Sequence, residues 1–237
     1  MNKTIGILGG MGPEATVYFY DQLIKKTKAF KDQEHIPVII YSDPRVPPRT
    51  DAIQKTGPSP VPFLLEGSKK LILGGADFIV MPCITAHFFW PQMAPSIDVP
   101  FVHLVEEAYS WAAAQIPGVK QIGIIASSGT INSGLFHDTF SRSGIEILTP
   151  QREEQAVVMD CIFGPRGIKA GYKADESTQR IVRIAYSLIE RGAQAVIAGC
   201  TEVPLVLRPE HIPVPLIEPM AIGIECCIKK AGREIRE

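Results

Sequence analysis

Cys83 and Cys200 are the residues from which a chemistry can be read. Each closes an apolar run with the make-up of a buried strand, Gly75-Ala-Asp-Phe-Ile-Val-Met-Pro-Cys83 and Gly192-Ala-Gln-Ala-Val-Ile-Ala-Gly-Cys200. They stand 117 residues apart (83 to 200), and the same offset carries Ile5-Gly6-Ile7 onto Ile122-Gly123-Ile124 and Gly75-Ala76 onto Gly192-Ala193. One half of the chain thus repeats the other. A thiol at a strand end, duplicated by such a repeat, can be presented from both sides to one ligand held between the halves. Acid-base work at a single carbon needs that arrangement. A free thiol has a pKa of about 8.5, and helix N-termini and cations lower it, so a thiolate base is available near neutrality.

Further candidates group around the two thiols. Thr85 and Thr201 follow the cysteines closely and can hydrogen-bond a ligand at a helix start. Gly10-Met11-Gly12 follows the first strand pattern and opens a helix, so its backbone can approach a small anion. The stretch Gly10-Met-Gly-Pro-Glu-Ala15 also fits the G-x-G-x-x-A dinucleotide fingerprint, which further requires an acidic residue about 20 residues on. Asp43, the nearest, lies 28 residues past Ala15 (15 to 43) and beside Pro44, so nucleotide binding is the weaker reading. Arg49 rides on a proline-rich stretch, 43–62, and Lys169 on a glycine-rich one, 164–173. His87 lies four residues after Cys83 and serves either to orient the ligand region or as a core contact. The five histidines are scattered, with neither an H-E-x-x-H pair nor clustered carboxylates, so no metal site is expected. Cys161, Cys226 and Cys227 lie in helical patterns and read as core residues.

At 237 residues the chain can bury a substantial core, and the repeat favours two domains over one. A formal net charge of −1 argues against a nucleic-acid partner, so any anion must be met by individually placed residues. No apolar run approaches the roughly 18 residues of a membrane span. The first apolar stretch, Ile5–Leu8, ends in glycines rather than a cleavage-like site, and the expected location is the cytosol. Five cysteines without a C-x-x-C pair argue against a disulfide framework and for free thiols in a reducing compartment.

Short Val/Ile-rich runs alternate with helical patterns, the mark of parallel sheets covered by helices on both faces. Strands are predicted near Thr4–Leu8, Ile36–Tyr41, Asp77–Met81 and Val99–Val102, then near Gln121–Ala126, Ile145–Leu148, Ala195–Ala198 and Val214–Ile217, four per half. Between Asp175 and Arg191, Ile181, Ile184, Ala185 and Leu188 fall at i, i+3, i+4 and i+7, which predicts an amphipathic helix capped by Asp175 or Ser177 and ended by Gly192. The prolines of 43–62 predict a long loop without regular structure. In such sheets ligands bind beyond the carboxyl ends of strands, where both cysteines fall.

Taken together, Gly6-Ile-Leu-Gly-Gly-Met-Gly-Pro-Glu-Ala-Thr16, Arg49-Thr50, Met81-Pro-Cys83-Ile-Thr-Ala-His87, Ala126-Ser-Ser-Gly-Thr130, Ile168-Lys169-Ala-Gly171 and Gly199-Cys-Thr-Glu202 resemble the aspartate/glutamate racemase superfamily over nearly the whole chain. Glu202, where glutamate racemases typically carry His, points to the aspartate racemase branch. The resemblance implies cofactor-independent racemisation, without pyridoxal phosphate: one cysteine as thiolate removes the α-proton and the other as thiol delivers a proton to the opposite face. It implies a substrate site of Gly10, Met11, Gly12, Arg49, Ile84, Thr85, Ser127, Lys169, Thr201 and Glu202, with Arg49 and Lys169 holding a side-chain carboxylate. It also implies two similar flavodoxin-like α/β domains, 1–98 with 213–237 and 99–212, the site in the cleft between them, and a homodimer acting on a small amino acid. Three departures stand out: Ile84 where the family usually has Asn, Pro48 where Asp is common, and Ser127 for a usual Thr. Two other readings remain open, a related isomerase or decarboxylase acting on a small dicarboxylate, and a catalytically silent dicarboxylate-binding protein.

Overall fold

The computed structural model describes residues 3–172 and 175–236. The first of its two units runs to Glu107 and takes in the segment from Met220. Its sheet contains β1 (Ile5–Gly9), β2 (Val38–Ser42), β3 (Phe78–Val80) and β4 (Phe101–Val102), in the order β2-β1-β3-β4 and parallel throughout. The helices of this part are α1 (Pro13–Lys26), α2 (Arg49–Ile53), α3 (Val61–Leu73) and α4 (Trp90–Met93), and α5 (Leu104–Gln115) starts in it. The second unit, Ala108–Pro219, repeats the plan. Strands β5 (Gln121–Ile125), β6 (Glu146–Leu148), β7 (Val196–Ala198) and β8 (Leu216–Ile217) are ordered β6-β5-β7-β8, again all parallel. Its helices are α6 (Ser128–Asn132), α7 (Leu135–Ser141), α8 (Arg152–Phe163) and α9 (Asp175–Glu190), and α10 (Pro219–Lys230) then returns to the first unit. This is an α/β fold of two four-stranded parallel sheets flanked by helices.

The repeat seen in the sequence has a packing reason. Gly6 in β1 lies so close to Ala76 that a Cβ would come within 2.9 Å of the alanine methyl, and Gly123 in β5 stands in the same relation to Ala193, at 3.3 Å. Each alanine follows a glycine with positive φ, Gly75 at 96° and Gly192 at 107°, which ends the preceding helix and turns the chain into the next strand. The same glycine–alanine contact thus closes helix against sheet twice.

All eight predicted strands are present, several of them shorter than expected. The outer strands β4 and β8 keep only two residues because each follows a proline. Pro100 and Pro215 accept ladder bonds from Ile79 and Val196, both near 3.0 Å, but have no N–H to donate. The same pairing bears on the domain bounds. Since β4 pairs with β3 and β8 with β7, residues 99–102 go with the first sheet and 213–217 with the second, so the boundaries fall later than the expected 98/99 and 212/213.

Helix α9 buries Ile181, Ile184, Ala185 and Leu188, as its periodicity predicts. Asp175 and Ser177 lie inside its first turn rather than before it, and Lys173, part of the predicted glycine-rich loop, lies outside the described residues. The proline-rich stretch differs from the prediction too. Once past Pro48 the chain has no proline until Pro58, and α2 forms there. Among the described residues no helix is long and apolar enough to cross a membrane.

Candidate active site

Cys83 lies three residues beyond β3, in extended conformation (φ −153°), and opens a 3-10 turn over Ile84–Phe89. Cys83 belongs to the apolar cluster that includes Leu8, Met11, Met81 and Ala86 and is 7% exposed. Ile84 is buried beside it and Thr85 half-buried. His87 fixes this turn. Its Nε2 accepts from the Leu104 N–H at 3.1 Å, the first residue of α5, so the ring proton resides on Nδ1 and is donated to the Cys83 carbonyl at 2.9 Å. Complete burial, and next the positive charge that His103 can carry 4.5 Å away between ring centroids, push the His87 pKa down to about 3. The imidazole is therefore a neutral strut between a strand-end loop and a helix start.

Gly10-Met11-Gly12 follows β1, next to β3 in the sheet. Gly10 has φ of 94°, and a Cβ there would overlap the backbone of Asp43. The close approach that requires glycine at this position is thus to the chain after β2. Thr16 supports the turn by accepting from the Gly10 N–H at 3.0 Å and donating to the Gly12 carbonyl at 3.2 Å. Met11 is a core residue whose carbonyl accepts from Arg49 Nη2 at 3.0 Å, while Arg49 Nη1 donates to the carbonyls of Val46 and Pro47 at 3.1 and 3.0 Å. Arg49 accordingly ties the proline-rich segment to the glycine turn, and its Nε is buried with no partner among the described residues. Helix α2, which carries it, touches the turn after Cys83. Asp43, the acidic residue weighed for a nucleotide site, is bound by Arg45 at 2.7 Å and by the Tyr41 hydroxyl at 3.2 Å.

In the second unit Cys200 lies two residues beyond β7, 8% exposed, within a cluster that includes Ile125, Val203 and Leu207. Its Sγ–H donates to Glu202 Oε2 at 2.8 Å, the Thr201 hydroxyl donates to the same oxygen at 3.0 Å, and Lys169 Nζ pairs with Oε1 at 2.6 Å. Lys169 stands in the 3-10 turn Ile168–Ala170, ended by Gly171 at φ 88°. Burial alone would raise the Glu202 pKa, but the charge of Lys169 and the hydrogen bonds from Cys200, Lys169 and Thr201 outweigh it and hold the carboxyl below its ordinary value. Burial, then the charge of Glu202 and its hydrogen bond, push the Cys200 thiol well above its ordinary value against the pull of Lys169. Cys200 is therefore a protonated thiol fixed beside an ionised carboxylate.

Ser127, just past β5, caps α6 by accepting from the Thr130 N–H at 3.3 Å. Gln155 on α8 steadies this loop through the Ala126 carbonyl and the Ser128 hydroxyl, at 3.0 and 3.1 Å. Nothing in the sequence singled out Gln155.

The predicted site residues thus form two constellations. The first unit joins Cys83, Ile84 and Thr85 in one loop and Gly10, Met11, Gly12 and Arg49 in another. The second joins Cys200, Thr201, Glu202 and Lys169, with Ser127 at the end of the neighbouring strand. Both lie at strand carboxyl ends where the strand order reverses direction, the usual ligand position in such sheets. Among the described residues no group of three or more His, Cys, Asp and Glu gathers to hold a metal.

A parallel α/β repeat with a cysteine after the third strand of each half defines a class, and relatives in sequence and structure identify it. The family model for Asp/Glu/hydantoin racemases matches residues 8–227, and the chain belongs to that family, a family of isomerases. It is 29% identical to the broad specificity amino-acid racemase RacX of Bacillus subtilis (strain 168) over 229 residues, 92% of this chain and 93% of that one. Among solved structures, Picrophilus torridus aspartate racemase superposes with a TM-score of 0.87 at 27% identity, covering 99% of this chain and 96% of that one. Glutamate racemase from Francisella tularensis, solved with D-glutamate, shares the fold with a TM-score of 0.68 at 18% identity, over 97% of this chain and 81% of that one.

Proposed function

We propose that this chain is a cofactor-independent amino-acid racemase in which Cys83 and Cys200 act as base and acid at one α-carbon, with aspartate, and by extension glutamate, among its substrates. The observation that carries the reading is the matched placement of Cys83 and Cys200 just past the third strand of each sheet; the hydrogen bond from Cys200 to Glu202 beside Lys169 keeps that thiol in the protonated form the acid role starts from. The reaction balances on the two sulfurs alone. Thiolate Cys83 takes the α-proton, the electron pair of the broken Cα–H bond spreads into the α-carboxylate, and the S–H of Cys200 delivers its proton to the opposite face. Cys83 is left as thiol and Cys200 as thiolate, the form suited to the other enantiomer.

The α-proton of an amino acid is far less acidic than a thiol, so the carbanion needs fixed dipoles in a dry site. Backbone amides of the Gly10–Gly12 turn and the hydroxyls of Thr85, Ser127 and Thr201 are the groups assigned to the α-carboxylate. Arg49 and Lys169 are assigned to a distal carboxylate, with Ile84 and Glu202 beside the reacting thiols. The reading requires both thiols to reach the same α-carbon. It is supported by family membership, by the matching strand-end positions of the cysteines, and by relatives named for aspartate and for broad amino-acid specificity.

Purified protein incubated with L- and D-amino acids in heavy water, without added cofactor, should exchange the α-proton and interconvert the enantiomers, as followed by NMR and chiral chromatography. Cys83→Ser and Cys200→Ser should each lower racemisation by at least about a hundredfold, the scale of one general acid or base. Each single variant should keep some exchange with one enantiomer only. Near-normal racemisation by either variant would overturn the two-thiol mechanism.

A further inference from the structure

The half-buried Gln155 of α8 uses the two ends of its amide very differently. Nε2 donates to the Ala126 carbonyl at 3.0 Å and to the Ser128 hydroxyl at 3.1 Å, while Oε1 is buried with no partner among the described residues. The first of these contacts fixes which way round the amide lies, because Oε1 turned toward a carbonyl oxygen would set two acceptors against each other. An orphaned amide oxygen is a cost. A residue kept only for packing would avoid it, since methionine is of similar length and fills such gaps without an amide to satisfy. The amide is therefore explained by what Nε2 holds, and it holds the residues on both sides of Ser127.

A second side chain on the same face of α8 acts on the same loop. Met159, one turn further along, has its sulfur 3.2 Å from the Ser128 nitrogen and accepts from that N–H. Between these anchors Ser127 is buried, accepts from the Thr130 N–H at 3.3 Å and lies 3.2 Å from the Thr130 hydroxyl. When that hydroxyl donates across the 3.2 Å, both Ser127 lone pairs are used and its own proton is left for an acceptor outside the loop. A serine lacks the β-methyl group that stiffens threonine at χ1, so the direction of its O–H is set by its surroundings.

We propose that Gln155 is a positioning residue for the reaction: by pinning Ala126 and Ser128 it aims the Ser127 hydroxyl as a donor at the substrate α-carboxylate, where charge builds up as the α-proton leaves. This rests on the racemase reading and deepens it, adding a residue that lies outside the assigned contacts and acts through one of them. A donor aimed beforehand at developing charge binds most strongly in the transition state, so loosening Ser127 lowers kcat/KM.

The test is a double-mutant cycle on kcat/KM for racemisation, combining Gln155→Met with Ser127→Ala. Each single substitution should lower kcat/KM by at least about tenfold. In the Ser127→Ala background Gln155→Met should cost no more than about twofold, since no hydroxyl is left to aim. Circular dichroism checks that the variants fold; where Gln155→Met does not, Gln155→Asn, whose amide is one methylene short of the loop, carries the same comparison. A loss of the same size with and without the Ser127 hydroxyl would assign Gln155 a merely structural task and overturn the proposal, as would an unchanged kcat/KM in Gln155→Met, and either result leaves the racemase reading intact. Absence of α-proton exchange with every amino acid in the unaltered enzyme would overturn both.

Discussion

Glu202→Gln keeps the shape of the side chain beside Cys200 and removes its negative charge, while Lys169 keeps its positive one. Loss of the carboxylate charge favours the thiolate. Alkylation of Cys200 by iodoacetamide, read by mass spectrometry of its peptide, should therefore reach half its limiting rate at a lower pH in the variant than in the unaltered protein. An unmoved profile would mean that burial alone holds the proton on. At this scale the sequence is informative where chemistry repeats and silent where it depends on folding. Cys83 and Cys200 are legible because a repeat puts them in matching places. The pairing of Lys169 with Glu202, and the three carbonyls gathered by Arg49, are not legible, since they join residues that only the fold brings together. His87 left two readings open in the sequence, and its two hydrogen bonds give it a structural task.

The strut that His87 makes between the turn after Cys83 and the start of α5 depends on a neutral ring, and this gives the element a pH dependence. With a folded pKa of about 3, the ring gains its proton more easily in the unfolded chain, where the pKa is about 6.5. Its contribution is complete above about pH 6.5 and is lost as the pH falls from there toward 3. By pH 5 the loss should be about 2 kcal/mol, measured as a lower urea midpoint. His87→Gln, which does not titrate, should be less stable at pH 7 and flatter with pH; an equally steep decline would assign the acid sensitivity to other groups. Arg49 is the matching tie on the other side of β1. Arg49→Ala removes charged hydrogen bonds to three carbonyls and should cost about 2 kcal/mol in the same measurement. Among the elements, α9 and the inner strands were legible from periodicity and composition. The short α2 was hidden by the prolines around it, and the edges of β4 and β8 are set by which residues can donate to a ladder.

The whole molecule is one plan made twice, and that much stands in the sequence as a shared offset of glycine, alanine and cysteine. Domain limits were less legible, because they depend on which sheet each outer strand joins. By family resemblance the protein is expected to be a homodimer, so light scattering should return about twice the chain mass of 25.9 kDa; a single chain mass would remove that expectation. The return of α10 to the first unit bears on how the molecule is made. Thr27 bridges to Ile235, Lys28 takes the carbonyl of Glu234, and Arg236 reaches back to the carbonyl of Lys26, so α1 is clasped by residues translated after the entire second unit. On the ribosome, Ala108–Pro219 is contiguous and has all its strands in hand as it emerges. The unit that carries Cys83 begins first and closes last, so a released chain cut after residue 219 would hold every strand of the second sheet but leave the first unit unclasped.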